Sequence, residues 1–413
     1  MLRRALALGA AVAACTPAAG AQKLRDQLPG LFTFGPFTTP LQVGTLAADG
    51  RTVLPNNAFL PSAVAANAGL AAFLVNWMQA SASSPPVASS GAGRSFRFVR
   101  GVPVAAEPSP GPIFGERATT LGRGAVLAGV NYTGVRFTEV RGVPLDNVRF
   151  TFTQANAAAA DAIDLQTSLD YTMAVTALYA TAGVADRLDV GVVLPLVQTR
   201  LTGASTARVV PAGAASTTVF GGTAAAPVLT SSQRIGGRAG GLGDVALRAK
   251  LNLVDRPAGG FAVLGDLRLP TGDAANLLGG GSVAARVLGV YSGRLGAVTP
   301  HAEAGYLHFA KATINDAVLT TVGLDADMAP WATVAFSLLG QFQAGRSAYV
   351  LPVAAGRSVS DVPAGVRDDA LSASLGAKLG VRGTRVVVNV LAPYTRGGPR
   401  PDLAYTFGLE RGF

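Results

Sequence analysis

The sequence predicts an all-β fold: an antiparallel transmembrane β-barrel of about twelve strands (twelve to fourteen), preceded by a mixed segment with one helix. Three observations predict it. Hydrophobic residues make up 49% of the 413, and charged residues only 14%, where a soluble domain carries about 25%. After residue 21 no apolar run reaches the roughly 18 residues of a helical membrane span. From about Ala125 onward, polar and apolar residues alternate with period two. High hydrophobicity without long apolar runs is what a barrel produces, because each strand shows lipid and water on alternate residues. A large secreted β-sandwich alternates too, but should carry more charge.

The first element is an export signal. Met1-Leu2-Arg3-Arg4 is followed by an apolar run from Ala5 to Ala14 and by the small residues Ala19-Gly20-Ala21. A charged start, a short apolar centre and an A-x-A site form a secretory signal peptide, so residues 1–21 are expected to be removed. A rival reading takes Val12-Ala13-Ala14-Cys15 as a lipoprotein box, with Cys15 lipidated. Cleavage after Ala21 would remove the one cysteine, leaving hydrogen bonds and packing to hold the fold.

Residues 22–112 form the second unit, a periplasmic or plug segment. Leu70, Phe73, Leu74 and Trp77 fall at i, i+3, i+4 and i+7, which predicts a helix over 62–79 with Pro61 in its first turn. The plain reading is a helix packing its apolar face on a neighbour; the sharper one is a plug entering the barrel mouth. A membrane-surface helix fits less well, since the opposite face lacks Lys and Arg. The Ser/Ala/Pro/Gly-rich stretch Ser81 to Gly93 reads as a linker.

Residues 113–413 form the barrel. Strands are expected to start near 125, 164, 187, 242, 259, 282, 296, 317, 331, 368, 383 and 403. In Asp244 to Leu253, Asp244, Ala246, Arg248, Lys250 and Asn252 share one face, and Val245, Leu247, Ala249, Leu251 and Leu253 the other. A slip of one residue would put Arg248 into the apolar phase, so register is strongly specified. Arg187 and Asp189, Asp266 and Arg268, and Lys378 oppose apolar rows in the same way. Short connections at Gly183 to Asp186, Asp255 to Gly260, Arg294-Leu295 and Gly380 to Gly383 alternate with long ones, at about 140 to Asp161, Gly203 to Gly240, Pro270 to Gly281 and Ala344 to Asp368. That rhythm matches periplasmic turns and extracellular loops. Adding Arg94 to Val104 and Val148 to Gln154 would raise the count to fourteen.

The last strand ends YTFGLERGF, with Thr406, Gly408 and Phe413 spaced as the terminal signal read by the barrel-assembly machinery; Arg411 stands where that signal is usually apolar. The formal charge of +10 is spread singly along the chain, which argues against nucleic acid and for lumen arginines or contact with anionic lipid headgroups. Aromatics are only 7%, sparse for the girdles at membrane interfaces.

Catalytic and metal chemistry is thin. His301 and His308 lie seven apart, on opposite faces of one strand, so they cannot share a metal; His301 and Glu303 share a face. A lipase would need a serine beside one of these histidines, and none is nominated by the sequence. The glycine-rich stretches at Gly236 to Gly243 and Gly279 to Gly281 lack the Gly-Lys-Ser/Thr ending of a phosphate loop. Asp273, one carboxylate in a loop, is not by itself a cation site. No catalytic residue, metal or cofactor is assigned. The candidate lumen-lining residues are Asp189, Asp244, Arg248, Lys250, Asp266, Arg268, His301 and Glu303. Such rows set a field that tunes what passes, or brace a narrow barrel by cross-strand ion pairs; bracing is the favoured reading.

GPIFGERATTLGRG (Gly111 to Gly124), GVPLDN (Gly142 to Asn147), GVADRLDVGVVLPL (Gly183 to Leu196), GGLGDVALRAK (Gly240 to Lys250) and LRLPTGD followed by NLLG (Leu267 to Gly279) together resemble outer-membrane barrels grouped with the meta-pathway of phenol degradation. The resemblance covers residues 111 to 310 best. It implies passage of small, often hydrophobic or aromatic solutes. The expected protein is thus a monomeric channel of the bacterial outer membrane, in contact with its lipids; the alternative is a structural or surface-interaction barrel with an occluded lumen.

Overall fold

The computed structural model describes residues 23–57, 59, 96–99, 102–105, 115–154, 161–311, 313–348, 358–363 and 365–413. The expected signal peptide with Cys15, the helix over 62–79 and the linker over 81–93 lie outside these residues.

Twelve antiparallel strands form a closed barrel. They are β1 (Val126–Val140), β2 (Ala162–Ala185), β3 (Leu188–Val210), β4 (Thr230–Leu242 continued as Val245–Arg256), β5 (Gly259–Leu269) and β6 (Ala284–Gly293). β7 (Val298–Phe309), β8 (Ala317–Ala329), β9 (Ala332–Gln343), β10 (Ala370–Val381), β11 (Thr384–Pro393) and β12 (Ala404–Gly412) complete the wall. Closure is made by β12 on β1, with Thr406 opposite Thr133 and Gly408 opposite Asn131. The count stays at twelve. Phe96–Val99 and Val102–Ala105 make a separate hairpin, and Val148–Thr153 pairs with the upper part of β2, beyond the residues that pair with β1, and on its other edge with the short strand Ser358–Ser360.

The connections sort by length onto the two ends. Residues 186–187, 257–258, 294–297, 330–331 and 382–383 turn at one end, and 141–161, 211–229, 270–283, 310–316, 344–369 and 394–403 connect strands at the other. At the two-residue turn 382–383, Arg382 and Gly383 both have positive φ, 49° and 83°, the geometry that matches the twist of the flanking strands.

One expected boundary is corrected. Gly203 to Gly240 is not a loop throughout: β3 continues to Val210 and β4 starts at Thr230, paired residue for residue. Alternation persists there, but its sense inverts. Outward positions become Gln198, Arg200, Thr202, Thr206 and Arg208, while Val197, Leu201, Ala207 and Val209 point inward and are buried. A polar outer row reads as loop when outward residues are expected to be apolar.

Elsewhere the outer face is the apolar one. Leu178, Val190, Leu194, Leu247, Leu251, Leu267, Val287, Val322, Leu338, Leu375 and Leu409 are all exposed. Aromatic residues gather on this face. Tyr132, Tyr306, Phe342, Tyr394 and Tyr405 lie toward the long-connection end, and Phe261, Tyr291, Trp331 and Phe413 toward the short-turn end. The low aromatic content is therefore no obstacle to interfacial girdles, because much of it is spent on the outside.

β4 breaks at Gly243-Asp244. Among the described residues its upper half pairs only with β3, since β5 ends at Leu269 opposite Val245. Thr271 bridges the break: its hydroxyl donates to Gly243 O at 2.6 Å and accepts from Val245 N at 3.0 Å.

The apolar belt makes a depth-dependent prediction. Val322→Arg, on the outward face of β8 at 59% exposure, should destabilise the barrel by roughly 2–4 kcal/mol, and Thr202→Arg, on the polar outer face of β3, by about 0–1 kcal/mol. Urea unfolding in lipid vesicles measures both; equal costs would contradict the belt.

Candidate functional site: the barrel interior

The interior divides into two layers. Toward the long connections it is apolar. Phe137, Phe150, Phe152, Tyr171, Leu201 and Val209 belong to one cluster with Leu24, Leu28, Leu31, Phe32 and Phe34 of the N-terminal segment. That segment forms a short helix, Leu24–Gln27, and a 3-10 turn, Leu28–Phe32. It lies on the inward face of β3 and β4. A Cβ at inward Gly237 would come within 2.6 Å of Leu24, and one at inward Gly203 within 3.3 Å of Leu31. Phe137 stacks on Tyr171 with ring centroids 5.3 Å apart.

Toward the short turns the interior is charged, and a second segment, Gly115 to Leu121, runs through it before β1 begins. Wall side chains grip its main chain. Glu303 accepts from Glu116 N. Lys250 Nζ donates to Arg117 O at 3.3 Å, Asn252 Nδ2 to Ala118 O at 2.7 Å, and Ala118 N to Ser292 Oγ at 3.0 Å. Leu121 N donates to both Asp189 oxygens at 3.0 Å. The five partners stand on four strands, Asp189 on β3, Lys250 and Asn252 on β4, Ser292 on β6 and Glu303 on β7, so the tie spans one side of the wall.

Ion pairs join the side chains. Arg248 reaches Glu116 at 3.2 Å and Asp266 at 3.1 Å; Lys250 lies 3.6 Å from Glu116 and 3.8 Å from Asp189. Asp266 collects three guanidiniums: Arg286 at 2.8 Å, Arg248 at 3.1 Å and Arg268 at 3.5 Å. Arg117 reaches Asp325 at 3.3 Å. Farther round, Glu410 takes Arg385 at 3.1 Å, Lys378 at 3.5 Å and the Tyr179 hydroxyl at 3.2 Å. The three arginines on Asp266 keep partial exposure, 14–19% of their side chains, while Lys250, Glu116 and Asp189 keep 4% or less. Among the inward positions of β8 and β9, Leu319, Leu339 and Gln341 also remain accessible.

Of the eight residues singled out in the sequence, Asp189, Arg248, Lys250, Asp266, Arg268, His301 and Glu303 are on inward strand positions and all touch one connected network, His301 through Asp325 and Arg117. Asp244 stands apart, at the break in β4, where it accepts from Gly272 N at 3.0 Å and Gly280 N at 2.8 Å and so pins the following loop. Thr406 is buried, hydrogen-bonded to Thr133 across the closing seam at 3.0 Å. Gly408 faces inward beside Asn131, where a Cβ would come within 2.0 Å of Asn131 Oδ1. Phe413 N and O bond Val126 O and N at 2.7 and 3.0 Å. The residues missed are Glu116, Arg117, Arg286, Asp325 and Glu410. Arg286 was accessible to the same alternation argument; Glu116 and Arg117 precede the strands, where no periodicity marks a side chain as inward.

His301 and His308 face opposite ways. His308 is outside, with Asp316 at 2.8 Å. His301 is inside, with Ser337 Oγ 3.3 Å from Nε2 and Asp325 3.7 Å from Nδ1. This serine-histidine-aspartate order carries no esterase geometry, because all three residues are 1% exposed and Gly115 lies so close that a Cβ there would sit 3.2 Å from the ring. An acyl group needs room between serine and an oxyanion donor. Asp273 caps the short 3-10 turn Ala274–Asn276 through the N–H groups of Ala275 and Asn276, and pairs with Lys23 at 2.8 Å. No cluster with metal-ligand composition occurs among the described residues.

No family model matches the sequence, and no curated protein does. Solved structures of similar fold include an outer-membrane channel from Pseudomonas putida F1, at 14% identity over 72% of this chain and 98% of that one, with a TM-score of 0.44. A deletion mutant of the monoaromatic hydrocarbon channel TodX matches at 9% identity over 72% and 92%, TM-score 0.34. A Pseudomonas aeruginosa FadL homologue matches at 10% over 70% and 90%, TM-score 0.31. These likenesses are distant, and the barrel stands on its own strand pairing.

The shared carboxylate makes a prediction. Asp266→Ala removes the carboxylate shared by Arg248, Arg268 and Arg286 at a largely buried site and should cost roughly 3–5 kcal/mol, whereas Asp170→Ala, at the exposed pair with Arg136, should cost about 0–1 kcal/mol. The urea midpoints of the two variants decide; an Asp266→Ala as mild as Asp170→Ala would remove the bracing role of Asp266.

Proposed function

We propose that the protein is a monomeric channel of the bacterial outer membrane that passes small apolar or aromatic solutes and is gated by chain segments held inside the barrel. The observation that carries this reading is the interior itself. A closed barrel with an apolar belt encloses two segments that are not part of its wall. One is packed by apolar contact and the other tied by side-chain-to-main-chain bonds. Such ties can be exchanged for water one at a time, which a fused core cannot do.

The apolar upper layer supports the solute class. Displacing Leu24–Phe34 would leave an apolar-lined space beneath the long connections, suited to hydrophobic guests. The break in β4 leaves its upper half without a partner strand on the β5 side among the described residues, where the N-terminal segment lies beside it through Gly236 N donating to Gln27 Oε1. The resemblance of residues 111 to 310 to barrels grouped with the meta-pathway of phenol degradation points the same way. No covalent chemistry is required, and no cofactor or nucleic acid enters the account. The signal peptide, the plug role of residues 22–112, and the periplasmic side of the short turns complete it. The alternative, an occluded barrel acting through its long loops, is favoured only by how fully the described segments occupy the interior.

Purified protein in liposomes should take up a small aromatic solute at a measurable rate, and the double variant Asp189→Ala/Glu303→Ala, which releases two ties on Glu116 and Leu121, should raise that rate. Planar-bilayer conductance should rise with it. A folded barrel with neither uptake nor conductance, unchanged in the double variant, would favour the occluded reading.

A further inference from the structure

Above the apolar belt, the outer face of β3 and β4 carries four arginines: Arg200, Arg208, Arg234 and Arg238. All four are exposed and in the outward phase. Arg200 and Arg238 are direct cross-strand partners. Like charges directly opposite on one sheet face, with Cβ atoms about 5 Å apart, destabilise the pairing unless something neutralises them. The neighbouring strand offers little. Asp170 on β2 is engaged by Arg136 at 3.1 Å. Asp164 is in register with Arg208 and accepts from Thr151 at 2.9 Å. No carboxylate forms an ion pair with Arg200 or Arg238 among the described residues.

Their height is equally specific. The outward row below them ends in Leu196 on β3 and Leu242 on β4, which face each other. Arg200 and Arg238 lie four residues beyond these leucines on their respective strands, about 13 Å. Gln198 and Gly240 fill the step between. The pair therefore sits where an apolar belt gives way to headgroups, with Arg136 in the same outward row across Thr172. Arg234 and Arg208 continue upward on the same face.

We propose that this arginine face docks the phosphorylated glycolipid of the outer leaflet, lipid A, with its phosphate between Arg200 and Arg238 and its acyl chains along Leu194, Leu196 and Leu242. Guanidinium groups bind phosphate through paired N–H donors, and the repulsion between the two arginines becomes attraction to a shared dianion. The acyl chains and the phosphate are read together, which distinguishes a lipid from free phosphate. The inference rests on the outer-membrane reading above, with the long connections outside the cell.

The test has two separable arms. In the first, Ala225→Cys, in the connection between β3 and β4, is labelled in intact cells with a membrane-impermeant maleimide. Labelling supports the orientation; a folded barrel that labels only after lysis overturns the functional reading and the inference with it. In the second, full-length protein in detergent is titrated with bisphosphorylated lipid A, dephosphorylated lipid A and inorganic phosphate. Saturable binding of the first is expected, weakened roughly tenfold or more by Arg200→Ala/Arg238→Ala, with neither of the other two probes binding comparably. Arg238→Gln alone should give an intermediate loss and serves if the double variant does not fold. Binding that survives both variants, or dephosphorylated lipid A or inorganic phosphate binding as well as lipid A, overturns the inference while leaving the channel reading intact.

Discussion

Everything in this fold follows from one constraint: polar side chains that face inward must find partners inside a wall whose outer face is apolar. Period-two alternation fixes the constraint, since no strand can turn its charges outward without turning its leucines inward. An unpaired buried charge is strongly destabilising, so inward charges must meet each other or something carried inside. Both solutions occur. Asp266 gathers Arg248, Arg268 and Arg286 from three adjacent strands. Asp189, Lys250, Asn252, Ser292 and Glu303 instead hold the main chain of Glu116 to Leu121.

The same constraint accounts for the layers. Where β3 and β4 rise above the apolar belt, their outer faces turn polar, and alternation inverts to apolar inside. That inversion creates an inward apolar surface, which Leu24 to Phe34 covers. The break at Gly243-Asp244 falls near this change of environment. It costs the ladder a step, and Thr271 restores two of its hydrogen bonds while Asp244 restrains the loop. The Pro270-Thr271-Gly272-Asp273 phrase is thus structural throughout, with Asp273 as a cap.

Much of this was legible in the sequence because barrel strands are local objects. Twelve strands were expected and twelve close the wall, with starts displaced by a few residues apart from β4. The inward phase of Arg248, Lys250 and Asp266 followed from alternation alone. What was not legible depends on distant or inverted context. The upper halves of β3 and β4 read as loop in the sequence because their outward residues are arginines and threonines. Glu116 and Arg117 were missed because their partners, Glu303, Asp325 and Arg248, lie more than 130 residues away. The aromatic content gave no hint of its placement, since a percentage carries no face.

The interior ties join wall to segment by hydrogen bonds and ion pairs, the kind of contact that can open without unfolding the barrel. In the proposed channel, opening these ties is what lets solute through. The most direct measurement is uptake in liposomes by the variant Ala118→Cys/Ser292→Cys, whose two positions are joined by the 3.0 Å bond between Ala118 N and Ser292 Oγ. With the disulfide formed, Gly115 to Leu121 is locked to the wall and uptake should fall; on reduction it should return. Equal uptake in the oxidised and reduced protein would contradict the account.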